Sequence, residues 1–304
     1  MKPWIRNTGL GLLGLVMLAG GALVAGMQLG ERKMQRRIEL SIAPLAPTLA
    51  RDAGESIERG RYVFMSRGCT ECHGTNGAGK TFVDDGKGMK VHAPNITPGE
   101  GHVVATYRDE DWTRTIRHGV KPDGRPAIVM PSEDYARMSD DDLAALVAFL
   151  KQMPSLPGER ATVQFPPPVM AMYAFGLLRD AAEKIDHTLP PPAAAPDAPT
   201  ASHGAYLANA CIGCHGPGLS GGRIPGAPPD WPAAANLTPG DGSAMKRYAS
   251  AEQFAAMLRS GKRPDGSAVS PVMPFTALKE FNDVDAKALY LHLTSLEPRK
   301  GGER

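Results

Sequence analysis

Two pentapeptides hold the most reactive side chains in the sequence: Cys69-Thr-Glu-Cys72-His73 and Cys211-Ile-Gly-Cys214-His215. Together they use all 4 cysteines of the chain. Cysteines three apart lie on one side of a helical turn, so both sulfurs reach the two vinyl groups of one porphyrin. The histidine that follows presents a ring nitrogen to the iron, and Cys-x-x-Cys-His is the attachment signature of covalent, c-type haem. Other chemistries fit less well. One tetrahedral zinc would have to join two pairs about 142 residues apart, each with its own histidine. A thioredoxin-like redox pair needs a strand–helix–strand surround, which the flanking sequence lacks. Cysteines this close make poor structural disulfides, and no other cysteine remains to pair with them.

Iron held by His73 or His215 has a second face, and its ligand separates carriers from catalysts. Met130-Pro131 and Met273-Pro274 lie at nearly the same distance beyond their respective histidines. A thioether favours ferrous over ferric iron and raises the reduction potential. Met130 and Met273 are therefore the expected second axial ligands, with Met138 and Met257 as rivals that also suit core packing. His92, His102 and His118 have no counterpart in the other half of the chain.

The elements that must position these groups occur twice. Gly60-Arg-Tyr62 matches Gly204-Ala-Tyr206, and Asn95-Ile-Thr-Pro-Gly99 matches Asn236-Leu-Thr-Pro-Gly240. Ile116-Arg-His-Gly119 matches Leu258-Arg-Ser-Gly261. Each half reads as helix, haem motif, long Gly/Pro-rich loop, helix, loop, helix. Helices are expected over 55–67, 109–118 and from Ser139 onward, then over 202–210, 250–260 and 282–295. Gly60 and Gly204 imply close approach of first and last helices, near Phe149 and Tyr290. The iron-bound histidine should donate its other ring nitrogen to a carbonyl, expected near Ile224-Pro225 in the second half. Two readings stand for Asn95 and Asn236, a haem-propionate contact or a turn-shaping role. Arg117 and Arg259 read either as propionate partners or as solvated charges on a helix face.

These matched motifs resemble a tandem class I cytochrome c, and the similarity narrows to the membrane-anchored cytochrome c subunits of bacterial periplasmic alcohol and aldehyde dehydrogenases. The resemblance covers about residues 55–297. It implies thioether bonds at Cys69, Cys72, Cys211 and Cys214, and axial pairs His73/Met130 and His215/Met273, holding two covalent haem c groups. The chain departs from those subunits in having two haem motifs where they have three.

The implied fold is all-α, two tandem class I cytochrome c domains preceded by an N-terminal transmembrane helix. Residues 1–31 are read as the anchor, because an uncharged run over 7–30 suits a span; a cleaved signal peptide is the alternative. A tether is expected over 32–54, domains over 55–157 and 201–297, a Pro-rich linker over 158–200 and a tail over 298–304. Basic residues 32–37 are read as lying on anionic lipid. The apolar stretch Val169–Leu178 is too short to span a bilayer. It suits a helix between the domains, a membrane-surface element or a partner contact. A formal charge of +2 excludes the basic excess of a nucleic-acid-binding protein. No acid–base pair, nucleophile or phosphate loop marks a substrate site. The expected role is single-electron transfer from a dehydrogenase or quinol-oxidising complex to an oxidase or soluble cytochrome, at the periplasmic face of the inner membrane. A di-haem peroxidase with one reactive haem is the alternative. A thiosulfate-oxidising type would need a further cysteine, and a purely structural docking subunit would not need its methionine ligands.

Overall fold

The computed structural model describes residues 3–42, 45, 52–193, 197–228 and 230–303, with side chains of the first helix described at position 14 and from Met17 onward. Helix α1 spans Pro3–Met34. The first half holds α2 (Ala53–Ser66), α3 (Cys69–His73), strands β1 (Lys80–Asp84) and β2 (Lys90–Ala93), α4 (Asp109–His118), α5 (Ser132–Tyr135) and α6 (Asp140–Gln152). The linker contributes β3 (Thr162–Gln164) and α7 (Pro167–Ala174). The second half repeats the helices as α8 (Ala201–Ala208), α9 (Ile212–His215), α10 (Ala251–Ser260), α11 (Phe275–Leu278) and α12 (Asp283–Ser295).

Local chemistry sets the helix ends. Ser139 Oγ accepts from Asp142 N at 3.2 Å, and Asn282 Oδ1 from Asp285 N at 2.8 Å, so each last helix starts at a side-chain cap. The acidic first turns of α4, α6 and α12 face the positive end of the helix dipole. In each half the first and last helices cross at a glycine. A Cβ on Gly60 would strike the Ala145 carbonyl and Phe149, and one on Gly204 would strike the Ala288 carbonyl and His292. His292 takes the place expected for Tyr290. Each half buries its own core, around Phe64, Ile116, Leu143 and Leu146 in the first and Leu207, Phe254, Leu258 and Leu289 in the second.

The all-α expectation does not hold. β1 pairs antiparallel with β2, and β2 with β3, in a three-stranded sheet with a register shift between Thr81 and Val83. The stretch that reads as a Gly/Pro-rich loop has β-branched and aromatic residues on either side of a turn. Asp85 Oδ1 closes that turn by accepting from the amides of Lys87 and Met89.

The transmembrane expectation does not hold either. Among the described residues, no helix is long and apolar enough to cross a membrane. The described end of α1 packs on protein: Gly26 lies against Ala171 and Phe175, and Gly30 against Met170, all on or beside α7. The apolar linker segment rests on α1 through α7, and Leu178 at its end lies against Gly226 of the second half. Phe175 and Leu177 beside it are 65% and 70% exposed. Two of the basic residues expected on lipid are spent within the chain. Lys33 pairs with Glu183 at 3.0 Å and Arg36 with Asp180 at 2.8 Å, where Tyr173 also donates to Asp180.

The halves meet through buried polar side chains. Tyr62 Oη of α2 donates to Asp285 Oδ2 at 2.6 Å, and Tyr206 Oη of α8 donates to Asp142 Oδ2 at 2.7 Å. His203 Nε2 donates to Asp285 Oδ1 at 2.7 Å, and Arg67 Nη2 lies 3.5 Å from Asp285 Oδ2. Burial alone would raise the Asp285 pKa. The His203 hydrogen bond, the Arg67 charge and the Tyr62 hydrogen bond outweigh it and hold the group down to about 2. A carboxylate depressed in this way stabilises the fold fully above about pH 4, and the contribution fades as pH falls toward 2. Asp285→Asn should accordingly lose about 2 kcal/mol at neutral pH. Urea unfolding at stepped pH should show a shallower stability loss for the variant than for the wild type between about pH 4 and pH 2.

Candidate haem sites

The haem motifs sit on short helices. Gly68, with φ 81°, turns the chain from α2 into α3, and Gly74 and Gly216, with φ 73° and 80°, end α3 and α9 directly after the histidines. These turns at positive φ favour glycine and end each motif helix.

The two histidines are held alike. His73 Nδ1 donates to Pro94 O at 2.9 Å, and His215 Nδ1 to Ala235 O at 2.8 Å. A carbonyl only accepts, so the proton is on Nδ1 and Nε2 carries the lone pair that iron needs. Burial also lowers the His73 pKa and keeps the ring neutral. The acceptor in the second half is Ala235 and not the Ile224-Pro225 loop. Pro94 and Ala235 each precede the matched asparagines Asn95 and Asn236. A main-chain acceptor has no side-chain signature, but the repeat of that asparagine marked its position.

Those asparagines shape the loop. Asn95 Oδ1 accepts from Thr97 N and Thr97 Oγ1 at 2.8 and 2.7 Å, and its amide donates to Leu156 O at 2.6 Å. Asn236 repeats the bonds with Thr238, at 2.9 and 2.8 Å, and donates to Arg299 O at 2.8 Å. Each asparagine thereby ties the loop carrying the histidine's acceptor to the chain beyond the last helix. This is the turn-shaping one of their two readings.

Met130 and Met273 occupy equivalent turns. The carbonyl of each accepts from the amide two residues on, Ser132 N and Phe275 N, both at 2.8 Å. Pro131 and Pro274 follow with nearly equal φ,ψ of −79°,60° and −78°,68° and open α5 and α11. Met130 and Met273 are partly buried and pack against the same cores as Cys69 and Cys211 respectively. The rivals Met138 and Met257 belong to those same cores, at 6% and 3% exposure. His92 bonds to Thr81, His102 to the Thr97 carbonyl, and His118 to His187.

The residues of the first half fit a haem. Trp112 Nε1, Thr113 Oγ1, and Nε and Nη2 of Arg117 are buried with no hydrogen-bond partner, a surplus of donors that suits the carboxylates of haem propionates. Arg117 spends one nitrogen on Asp140 at 2.7 Å. Arg259, its counterpart, reaches Asp283 on an exposed face. Phe254 stands where the first half has Trp112, so the indole donor belongs to the first half alone. A cavity of about 570 Å³ opens beside Trp112, Tyr107, Val104 and Leu150, but Cys69, His73 and Met130 do not line it.

The other readings of the cysteines lose ground. Burial pushes the Cys69 and Cys211 thiols up to about 12. A thiol held protonated is a poor nucleophile. Among the described residues, the two motifs do not come together in a common cluster of metal-binding groups.

Residues 57–154 match the cytochrome c family. The chain is 29% identical to the cytochrome c subunit of the quinone alcohol dehydrogenase of Gluconobacter oxydans, over 90% of this chain and 62% of that subunit. It is 26% identical to the fructose dehydrogenase cytochrome subunit of Gluconobacter japonicus, over 83% and 55% of the two chains. It is 27% identical to the gluconate 2-dehydrogenase cytochrome c subunit of Pantoea cypripedii, over 84% and 63%. The chain thus spans 55% to 63% of the length of these relatives. Residues 57–154 are a cytochrome c domain, the kind that binds haem c covalently, and the chain as a whole is similar to cytochrome subunits of dehydrogenases.

Trp112→Phe tests the propionate contact. It should lower the midpoint potential of the first-half haem by up to about 40 mV, the equivalent of roughly 1 kcal/mol for one hydrogen bond. Spectroelectrochemical titration reads the shift, and an unchanged potential would leave the indole without that partner.

Proposed function

We propose that this chain is a di-haem c-type cytochrome that carries single electrons for a dehydrogenase. The observation that carries the reading is the duplicated coordination frame: His73 and Pro94 with Met130 in one half, His215 and Ala235 with Met273 in the other. Cys69 and Cys72 would hold one haem and Cys211 and Cys214 the other. Haem supplies reversible one-electron chemistry when bound.

The remaining work falls to the chain's own residues. The Pro94 and Ala235 carbonyls orient the imidazoles and strengthen them as donors to iron. Met130 and Met273 are the residues that would supply the second ligand to each iron, and a thioether there would favour the reduced state and deny a site to peroxide or oxygen. The cores around Phe64 and Phe254 would exclude water from each site.

The donor in this reading is a dehydrogenase, because three relatives are named as its cytochrome subunits. A quinol-oxidising complex is a further donor, and an oxidase or soluble cytochrome is the acceptor. The periplasm is the expected location, since Cys-x-x-Cys-His motifs receive haem outside the bacterial cytoplasm.

The alkaline pyridine spectrum of denatured protein should report two haems per chain. Cys211→Ala/Cys214→Ala should leave one. The reduced wild type should bind no carbon monoxide, while Met130→Ala and Met273→Ala should each open a single binding site and lower that haem's potential. Rapid carbon monoxide binding by the wild type would instead favour a peroxidase-like enzyme with one reactive haem. Affinity purification of the chain from its host, with identification of the co-purifying dehydrogenase, tests the partner.

A further inference from the structure

The two halves are joined by an exchange of equivalent side chains. Tyr62 and Tyr206 hold the same place in the first helix of each half, and each donates to the carboxylate in the first turn of the other half's last helix. Each carboxylate is also gripped from its own half by matched residues. Arg59 holds Asp142 through two bonds of 2.7 and 3.0 Å, and His203 holds Asp285 at 2.7 Å. This reciprocity is that of a two-fold axis between unequal partners. The groups are buried: His203 is 0%, Asp285 1% and Asp142 3% exposed. A hydrogen bond to a buried carboxylate is directional and costly to lose, so it fixes the angle between the halves more tightly than apolar contact would.

The halves also meet at both candidate haem sites. α5, which follows Met130-Pro131, packs on α9, and α11, which follows Met273-Pro274, packs on α3. Asp134 Oδ1 of α5 accepts from Gly213 N, between Cys211 and Cys214, at 3.1 Å. The methionine-bearing turn of one half thus rests on the haem-attachment motif of the other. Any rotation of the halves about the tyrosine contacts would change the separation of the two sites.

We propose that the Tyr62–Asp285 and Tyr206–Asp142 hydrogen bonds set the spacing of two haems for direct electron exchange within the chain. Tyr62 and Tyr206 are positioning residues in this scheme. One electron leaves ferrous iron in one half and reduces ferric iron in the other, with no bond formed or broken and no proton taken up. The proposal rests on the two-haem reading above, and it adds that the chain conducts from one half to the other as a unit.

The test uses the full-length holoprotein and Tyr62→Phe/Tyr206→Phe, which keeps the rings and removes both donors. The pyridine spectrum counts haems first. Pulse radiolysis of partly reduced protein then reads exchange between them, and calorimetry reads the unfolding of the halves. The double variant should keep two haems and the methionine–iron absorption band, and its exchange should slow about tenfold, as expected when reacting centres lose their alignment. Its halves should unfold in separate transitions where the wild type shows one. Val147→Ala, which weakens the first core away from the contact, should leave exchange unchanged. Wild-type exchange in the double variant, or equal slowing by Val147→Ala, overturns the proposal while leaving the two-haem reading intact. Fewer than two haems in the wild-type chain overturns both.

Discussion

The crossing of first and last helices at Gly60 and Gly204 is the constraint on which the arrangement of each half depends. A side chain at either position would occupy the space of the opposing carbonyl, Ala145 or Ala288. With hydrogen there instead, the helices approach until main chain meets main chain. That approach brings Arg59 to Asp142 and His203 to Asp285, because each basic residue adjoins its glycine and each aspartate lies one turn before the opposing alanine. Tyr62 and Tyr206, two residues beyond the glycines, are left pointing out of their own half and into the other. The internal crossing and the contact between halves are therefore one geometric solution.

The coordination frame grows from the same helices. α2 and α8 lead into the haem motifs, so their placement fixes where the histidines emerge. The loops carrying Pro94 and Ala235 then meet the imidazole from the side. Asn95 and Asn236 pin those loops by filling every strong bond of their amides with main chain and a threonine hydroxyl. The carbonyl thereby fixes the orientation and tautomer of each imidazole.

What was legible in the residues was local or repeated. The haem motifs, the Met-Pro turns and the capped helices announce themselves through short patterns, and the repeat confirmed which copies mattered. What stayed hidden required distant contact. β2 pairs with β3 across the whole of the last helix of the first half, and Thr162-Val-Gln164 is too short to signal a strand alone. The uncharged run at the N-terminus had the composition of a span, but composition does not say that Gly26 and Gly30 lie against α7. The Pro94 and Ala235 acceptors are carbonyls, which every residue possesses. Tyr62 and Tyr206 were visible as repeat matches, while their targets in the opposite half were not. Arg67 had no such mark at all, because its counterpart is Asn209.

Arg67 gives the chain a dependence on its own completion. Its guanidinium is buried in α2's C-terminal turn, at 8% exposure, and the carboxylate that balances it belongs to Asp285 of α12. During synthesis the first half emerges long before that aspartate does, and domains tend to fold as they appear. Until the last helix docks, the nascent first half must either leave this cation in water or bear it uncompensated. The newly made polypeptide thus reaches its final internal charge balance only when translation has delivered the second half.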